Sequence, residues 1–326
     1  MAILDKKDEK LLELLYINSR SSHNQLAKRL GVSKDTVHNK IKKFLETGII
    51  SNFTCDVNLA KLGFNTFTAF FKFNQDITKH IDILEYFKEH PLCMWAVTIS
   101  GEYDILTEFI VEDFFYIQKT ITSIRSHFGD RLNFYEIDIF AKMVRISHLI
   151  KDLNKNVLEK SDNIQNIESK QKKLDQLDKK IIFELTRDSS LSLISIAEKV
   201  KSSWDVVRYR IKSLENNKII GKYHPMLNYK KLNYMPFIGK VTMQSISKND
   251  FDALEDLIKR NDNVTYAFTS ANSFSIIFNC IYASIDQLDS FLRKIQEEFK
   301  GKIKSMIYYI QREQIKFTPF PAGLLS

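Results

Sequence analysis

This 326-residue sequence predicts an α+β protein in which a helix-turn-helix domain is followed by a ferredoxin-like βαββαβ domain with an antiparallel sheet. The pair occurs twice in the chain. Three observations carry that reading. A shift of 170 residues aligns positions 8–64 with 178–234 without a gap, with 16 identities in 57 positions; so long a period is a duplicated multi-element unit, not a solenoid repeat. Each copy opens with apolar residues at helical spacing around a short capped turn, and each continues with strand-like and helix-like patterns in one fixed order.

In copy one, Leu11, Leu12 and Leu15 give one helical face, Leu26, Ala27 and Leu30 a second, and Val37, Ile41 and Phe44 a third. Only Gly31-Val32-Ser33 separates the last two. Gly31 suits the left-handed residue that closes a helix, and Ser33 suits the N-cap of the next. Copy two repeats the pattern with Ile196, Ala197 and Val200, then Lys201-Ser202-Ser203, then Val207, Ile211 and Leu214. With lysine in the glycine position, the second turn is expected to be strained or differently shaped. Strands are then expected over 64–73, 94–99, 103–111 and 132–140. Helices carrying Ile81, Leu84 and Phe87, and Phe114, Ile117, Ile121, Ile124 and Phe128, complete β-α-β-β-α-β. The matching helical stripes of copy two are Phe251, Leu254, Ile258 and Leu288, Leu292, Ile295, Phe299. The expected domains are 1–63 and 174–234 (helix-turn-helix) and 64–150 and 235–326 (βαββαβ), with a charged linker over 151–173.

Composition excludes several classes. The chain is 44% hydrophobic and 27% charged, with 9 Gly and 5 Pro, which is neither disordered nor collagen-like. Cys55, Cys93 and Cys280 lie far apart and form no CxxC pair, so neither a disulfide framework nor a zinc ribbon is expected. No apolar run is long enough to span a bilayer, and the first ten residues lack the apolar core of a signal peptide. A cytoplasmic protein without membrane contact is the expectation.

The net charge of +8 is unevenly placed. Residues 8–64 carry +3 and 178–234 carry +6, while 65–150 carry −4 and 235–326 carry +1. The surplus tracks the helix-turn-helix twice, as a phosphate-binding surface requires. On the expected recognition helix of copy one, Ser33, Lys34, Thr36, His38, Asn39, Lys42 and Lys43 are left for the outer surface. In copy two the set is Ser203, Trp204, Val206, Arg208, Tyr209 and Lys212. Residues near the start of such a helix reach base edges and the rest bond phosphates. Lys40 and Arg210 lie one residue before a buried isoleucine and are candidates for ion pairs within the domain. For any one of these side chains a solvated surface role weighs about as much as a base contact.

The order of parts resembles the Lrp/AsnC (feast/famine) transcription regulators over essentially the whole of each repeat. LAKRLGVSKDTVHNKIKKFLETGII (26–50) and IAEKVKSSWDVVRYRIKSLENNKII (196–220) are similar to that family's recognition helix and following strand. VTISGEYDI (97–105) is similar to its glycine-x-tyrosine-aspartate stretch between two effector-domain strands. The resemblance implies double-stranded DNA as partner, and an amino acid as a candidate effector near Gly101, Tyr103 and Asp104. A tight strand connection explains Gly101 and Asp104 as well. Copy two departs, with Asn272-Ser273-Phe274-Ser275 in place of Gly101-Glu102-Tyr103-Asp104 and Lys218 in place of Gly48. Family members are usually single-copy chains that dimerise, so the two copies here are expected to form an internal pseudo-dimer, with further association left open.

Two other readings are weighed. Siroheme decarboxylases share the scaffold and need histidines to hold an acidic tetrapyrrole and move protons. The corresponding strands, MWAVTISGEYDIL and TYAFTSANSFSII, contain none, and His80, His90, His127 and His148 are expected at the surface. A protein-interaction module with degenerate helix-turn-helix segments is suggested by Trp204, Val206 and Tyr209. No metal-ligand cluster, catalytic residue or cofactor motif is visible along the sequence, and the expected protein is a regulator without cofactor or metal.

Overall fold

The computed structural model describes residues 4–153, 173–244 and 247–325. Most of the expected linker, 151–173, lies outside the described residues.

Copy one begins with α1 (Lys6–Ile17), α2 (His23–Leu30) and α3 (Lys34–Glu46). Each starts on a side-chain cap, because first-turn N–H groups have no partner within the helix. Asp5, Ser22 and Ser33 accept from the amides of Asp8, Gln25 and Thr36. After the β-strands of copy one, α6 (Gln176–Arg187), α7 (Leu193–Val200) and α8 (Trp204–Asn216) repeat the arrangement on Asp175, Ser192 and Ser203. Gly31 closes α2 at φ 66, ψ 42, and Lys201 closes α7 at φ 55, ψ 51. The second turn therefore keeps the shape of the first, and the lysine backbone carries the strain. The same exchange recurs at Gly48 (φ 70) and Lys218 (φ 53), and at Gly63 (φ 81) and Asn233 (φ 64).

A strand follows each trihelical unit, β1 (Ile50–Val57) and β6 (Ile220–Leu227), and the two pair antiparallel into one ribbon with Thr54 opposite His224. Each trihelical unit also bonds to the other copy's ribbon strand: Ser19 N donates to Tyr223 O and Ser189 N to Phe53 O, both at 3.0 Å.

The remaining strands of copy one are β2 (Asn65–Phe73), β3 (Cys93–Ser100), β4 (Ile105–Val111) and β5 (Leu132–Ile146). Those of copy two are β7 (Met235–Met243), β8 (Val264–Ser270), β9 (Ser275–Tyr282) and β10 (Ile303–Phe317). They close one eight-stranded barrel in the order β10-β3-β4-β2-β5-β8-β9-β7. β5 runs six residues beyond the expected 132–140. Its first half pairs with β2 (Phe73 with Leu132 to Phe67 with Ile139), and its second half crosses to β8 of copy two (Phe140 with Ser270 to Ile146 with Tyr266). β10 does the same with β7 and β3. The pseudo-dimer is thus two edge-to-edge strand junctions plus the shared ribbon.

Strand alternation separates two sets of side chains. Phe67, Ala69, Phe71 and Phe73 face the helices α4 (Ile81–Glu89) and α5 (Phe114–Phe128), while Phe70 joins Trp95, Ile99, Tyr103, Ile238, Phe268 and Tyr309 in a largely apolar cluster inside the barrel. α9 (Lys248–Lys259) and α10 (Ile285–Glu298) cover the copy-two half. Leu149, Ile150 and Leu153 after β5 pack on the first trihelical unit, and Phe320 and Leu324 after β10 pack on the second.

Candidate nucleic-acid interface

The outer faces of α3 and α8 are open. Val37 and Phe44, and Val207, Ile211 and Leu214, are buried in their trihelical cores. Ser33, Lys34, His38, Asn39, Lys42 and Lys43 are exposed and Thr36 is half-buried; Ser203, Trp204, Val206, Arg208, Tyr209 and Lys212 are all exposed. The two serine hydroxyls are largely committed, since Ser33 Oγ caps Thr36 N at 3.1 Å and Ser203 Oγ caps Val206 N at 3.4 Å. Lys42 sits 3.8 Å from Glu46 one turn on. The Arg208 guanidinium lies 4.8 Å above the Trp204 ring and 3.1 Å from Asp205, so it is held in a loose surface pair that a base or phosphate can displace. Trp204 and Tyr209 keep large exposed ring area, 47% and 72%.

Lys40 and Arg210 turn inward to acids, as their positions suggest. Lys40 Nζ meets Asp8 at 2.6 Å and Asp5 at 3.0 Å; Arg210 meets Asp175 at 2.7 Å and Asp178 at 3.3 Å. Asp5 is held below the usual carboxylate range, first by the Asp8 amide it caps and then by Lys40. These pairs fix α3 and α8 against the first helix of each unit and leave the remaining cations of the recognition helices for the solvent side.

The effector candidates sit elsewhere. Gly101 takes φ 125, and a Cβ there would lie 3.2 Å from the Tyr309 ring. Tyr103 is buried, its hydroxyl donating to Glu136 at 2.6 Å; burial and that carboxylate raise its pKa. The Asp104 carboxylate accepts from Lys72 Nζ at 2.9 Å and from Phe73 N at 2.8 Å. In copy two, Ser273 Oγ donates to Asp138 and Asn272 bonds the backbone of Ile137 and Ile139 on β5. Each loop therefore helps to build its own corner of the barrel.

A cavity of about 720 Å³ opens between the ribbon and the barrel, lined by Asp56, Trp95, Glu108, His148, Tyr266 and Arg312 among others. None of Gly101, Tyr103 or Asp104 lines it. Burial alone pushes the Glu108 carboxyl up to about 8. The histidine expectation needs correction here. His127 is exposed and His80 partly so, but His90 is half-buried, with burial drawing it down to about 4. His148 is not a free surface group: it meets Asp56 at 2.7 Å and stacks on His224, a histidine that single-strand patterns do not flag because it sits in β6. The fold thus assembles a His₂Asp group from positions 56, 148 and 224 that no spacing in the sequence reveals.

The winged helix-turn-helix DNA-binding family matches the chain twice, at residues 4–51 and 174–220. An HTH-type transcriptional regulator of Pyrococcus abyssi is 39% identical over 107 residues, which are 32% of this chain and 71% of that protein. The HTH-type transcriptional regulator Ptr1 of Methanocaldococcus jannaschii is 32% identical over 111 residues, 34% of this chain and 74% of that one. The chain belongs with these HTH-type transcriptional regulators, and it carries their DNA-binding segment twice. Among solved structures, the siroheme decarboxylase NirDL aligns with 96% of this regulator and 93% of its own chain at a TM-score of 0.62 and 13% identity. At that identity the likeness is one of fold, and it covers both copies. Among the described residues, no helix of the regulator is long and apolar enough to cross a membrane.

Proposed function

We propose that one chain of this DNA-binding regulator acts as a covalent pseudo-dimer and reads two unlike half-sites in a fixed order. The observation that carries this is the chemical difference between two exposed recognition faces held on one ribbon. Copy one offers Lys34, Thr36, His38 and Asn39, with Asn suited to adenine. Copy two offers Trp204, Val206, Arg208 and Tyr209, with Arg suited to guanine and Val206 to a thymine methyl. A symmetric dimer presents identical helices and prefers a near-palindrome. Selection from random DNA, with the stoichiometry of the complex, tests the proposal. A non-palindromic motif bound by one chain supports it, and a perfect palindrome bound by one chain refutes it.

The effector assignment rests on copy one alone, which keeps Gly101, Tyr103 and Asp104. An amino acid's ammonium group would replace Lys72 at the Asp104 carboxylate, an exchange of one cation for another. Calorimetry across the amino acids should find a ligand whose binding drops in Asp104→Ala; unchanged binding removes the assignment. Three buried free cysteines support a reducing, cytoplasmic setting.

A second reading, tetrapyrrole chemistry on the same scaffold, has the two-copy fold likeness and the cavity with His148 and Arg312 in its favour. Titrating siroheme into the purified chain separates the two: a bound-state absorbance spectrum supports the enzyme, and no spectral change removes it.

A further inference from the structure

We infer that Asp56, His148 and His224 form a site for one divalent transition-metal ion of the zinc class, with its open position facing the cavity between ribbon and barrel. The three side chains come from three places: Asp56 from β1, His224 from β6, and His148 from the segment just past the end of β5. Their ligating atoms all lie within 4.8 Å of one another. Asp56 Oδ1 is 2.7 Å from His148 Nε2 and 3.3 Å from His224 Nε2. Bonds of about 2.0–2.2 Å in a tetrahedral zinc site put ligand atoms about 3.4 Å apart. The Asp56–His224 separation already fits, and the shorter Asp56–His148 contact opens when the His148 ring turns.

The donor chemistry points the same way. His224 is 1% exposed in its side chain, and its Nδ1 lies 3.3 Å from the Pro225 carbonyl oxygen. A carbonyl only accepts, so in that contact Nδ1 carries the hydrogen and Nε2 turns its lone pair toward the Asp56 carboxylate. A cation between those two groups, proton or metal ion, satisfies both, and a bound metal ion takes the proton's place. A backbone partner on the far ring nitrogen is also what fixes a metal-ligating histidine in its tautomer. The two imidazoles stack with centroids 3.7 Å apart and planes 10° apart. Each lone pair lies in its own ring plane, and two stacked planes do not meet at one nearby point, so ion entry requires one ring to swing out of the stack. His148 is the one placed to do so, since it lies beyond the strand and its side chain keeps 22% exposure. Asp56 and His148 line the cavity, so three protein ligands leave a fourth position open on that side.

The duplication supplies an internal control. The ribbon offset of 170 matches Asp56 with Met226 and His224 with Thr54; the β5 and β10 bounds match His148 with Pro319. None of these three counterparts is a strong ligand for such an ion. The chain therefore holds one site, on one side of its pseudo-two-fold axis, and a bound ion would tie the shared ribbon to the end of β5.

The test uses the full chain, stripped with chelator, without DNA, and zinc or cobalt(II) alone as the probe. Its outcome is independent of the DNA-reading proposal. Calorimetry should show one zinc per chain, and cobalt should give the intense visible bands of a tetrahedral site. His148→Ala and Asp56→Asn should each weaken binding by about 100-fold or more, since even outer-shell changes cost 10–100-fold. Far-ultraviolet dichroism checks that both variants fold, and His148→Ala, lying outside any strand, keeps the test open if Asp56→Asn does not. No stoichiometric uptake by the wild-type chain overturns the site, as does uptake unchanged in both variants, which would place the ion on surface histidines.

Discussion

Replacing Lys201 and Lys218 with glycine should stabilise the second helix-turn-helix. Both lysines hold left-handed backbone, at φ 55 and φ 53, where copy one has Gly31 and Gly48. That conformation costs an L-residue about 1–2 kcal/mol. Glycine removes the cost but adds about 0.4–1 kcal/mol of unfolded-chain entropy, leaving a net gain of about 0.5–1 kcal/mol per site. Crowding does not enter: a Cβ on Gly31 meets nothing within 4 Å, and one on Gly48 meets only the Lys231 side chain at 3.9 Å. The two sites flank the 13-residue α8, a helix about 20 Å long, so their effects should add to about 1–2 kcal/mol. The change is confined to one small trihelical core, which global unfolding of the whole chain reads poorly, so the assay is native-state amide exchange of α7 and α8 in free protein. Lys201→Ala separates charge from conformation, because alanine keeps the left-handed cost and should gain nothing. Gly31→Lys should weaken copy one by a similar amount. Equal protection in Lys201→Gly and wild type, with Gly31→Lys also neutral, would refute the reasoning.

Other outcomes follow from the same structure. Glu108 moves from 4.5 when unfolded to about 8 when folded, so the native state binds the extra proton across that window and stability falls as pH rises through it. Glu108→Gln should remove that loss, of the order of 3–5 kcal/mol above the window, with little gain below it; urea unfolding across pH reads the difference, and a pH-independent effect rejects it. Lys240 from copy two bonds Glu136 and the fully buried Asp138 of copy one, at 2.5 Å from the latter. Lys240→Ala should cost about 3–5 kcal/mol by leaving the buried Asp138 carboxylate without its counter-charge, as urea unfolding near neutral pH would show. Arg208→Ala should cost about 1–3 kcal/mol at one half-site only, whereas Lys42→Ala should weaken all sequences about equally and lower the salt slope by about 1, both read by anisotropy over a salt series.

Local pattern carried much of this protein. Helical stripes such as Val37, Ile41 and Phe44, the capping serines and the 170-residue period defined the trihelical units, because helices and caps are set by residues within a few positions of each other. Exposure of Arg208 and Asn39 and the inward turn of Lys40 followed from the same periodicity. Tertiary structure decided what depends on partners far along the chain. β5 reaches Ile146 because β8 of the other copy supplies hydrogen bonds that residues 141–146 cannot find within their own sheet. Lys201 keeps a glycine-like turn because the packing on both sides of it outweighs roughly 1–2 kcal/mol of backbone preference. Asp56, His148 and His224 meet only because antiparallel pairing of β1 with β6 sets 56 near 224, and the chain leaving β5 returns to that ribbon. Sequence distance carries no information about such a meeting: strand pairing fixes it, and pairing is a property of the closed barrel and shared ribbon as a whole.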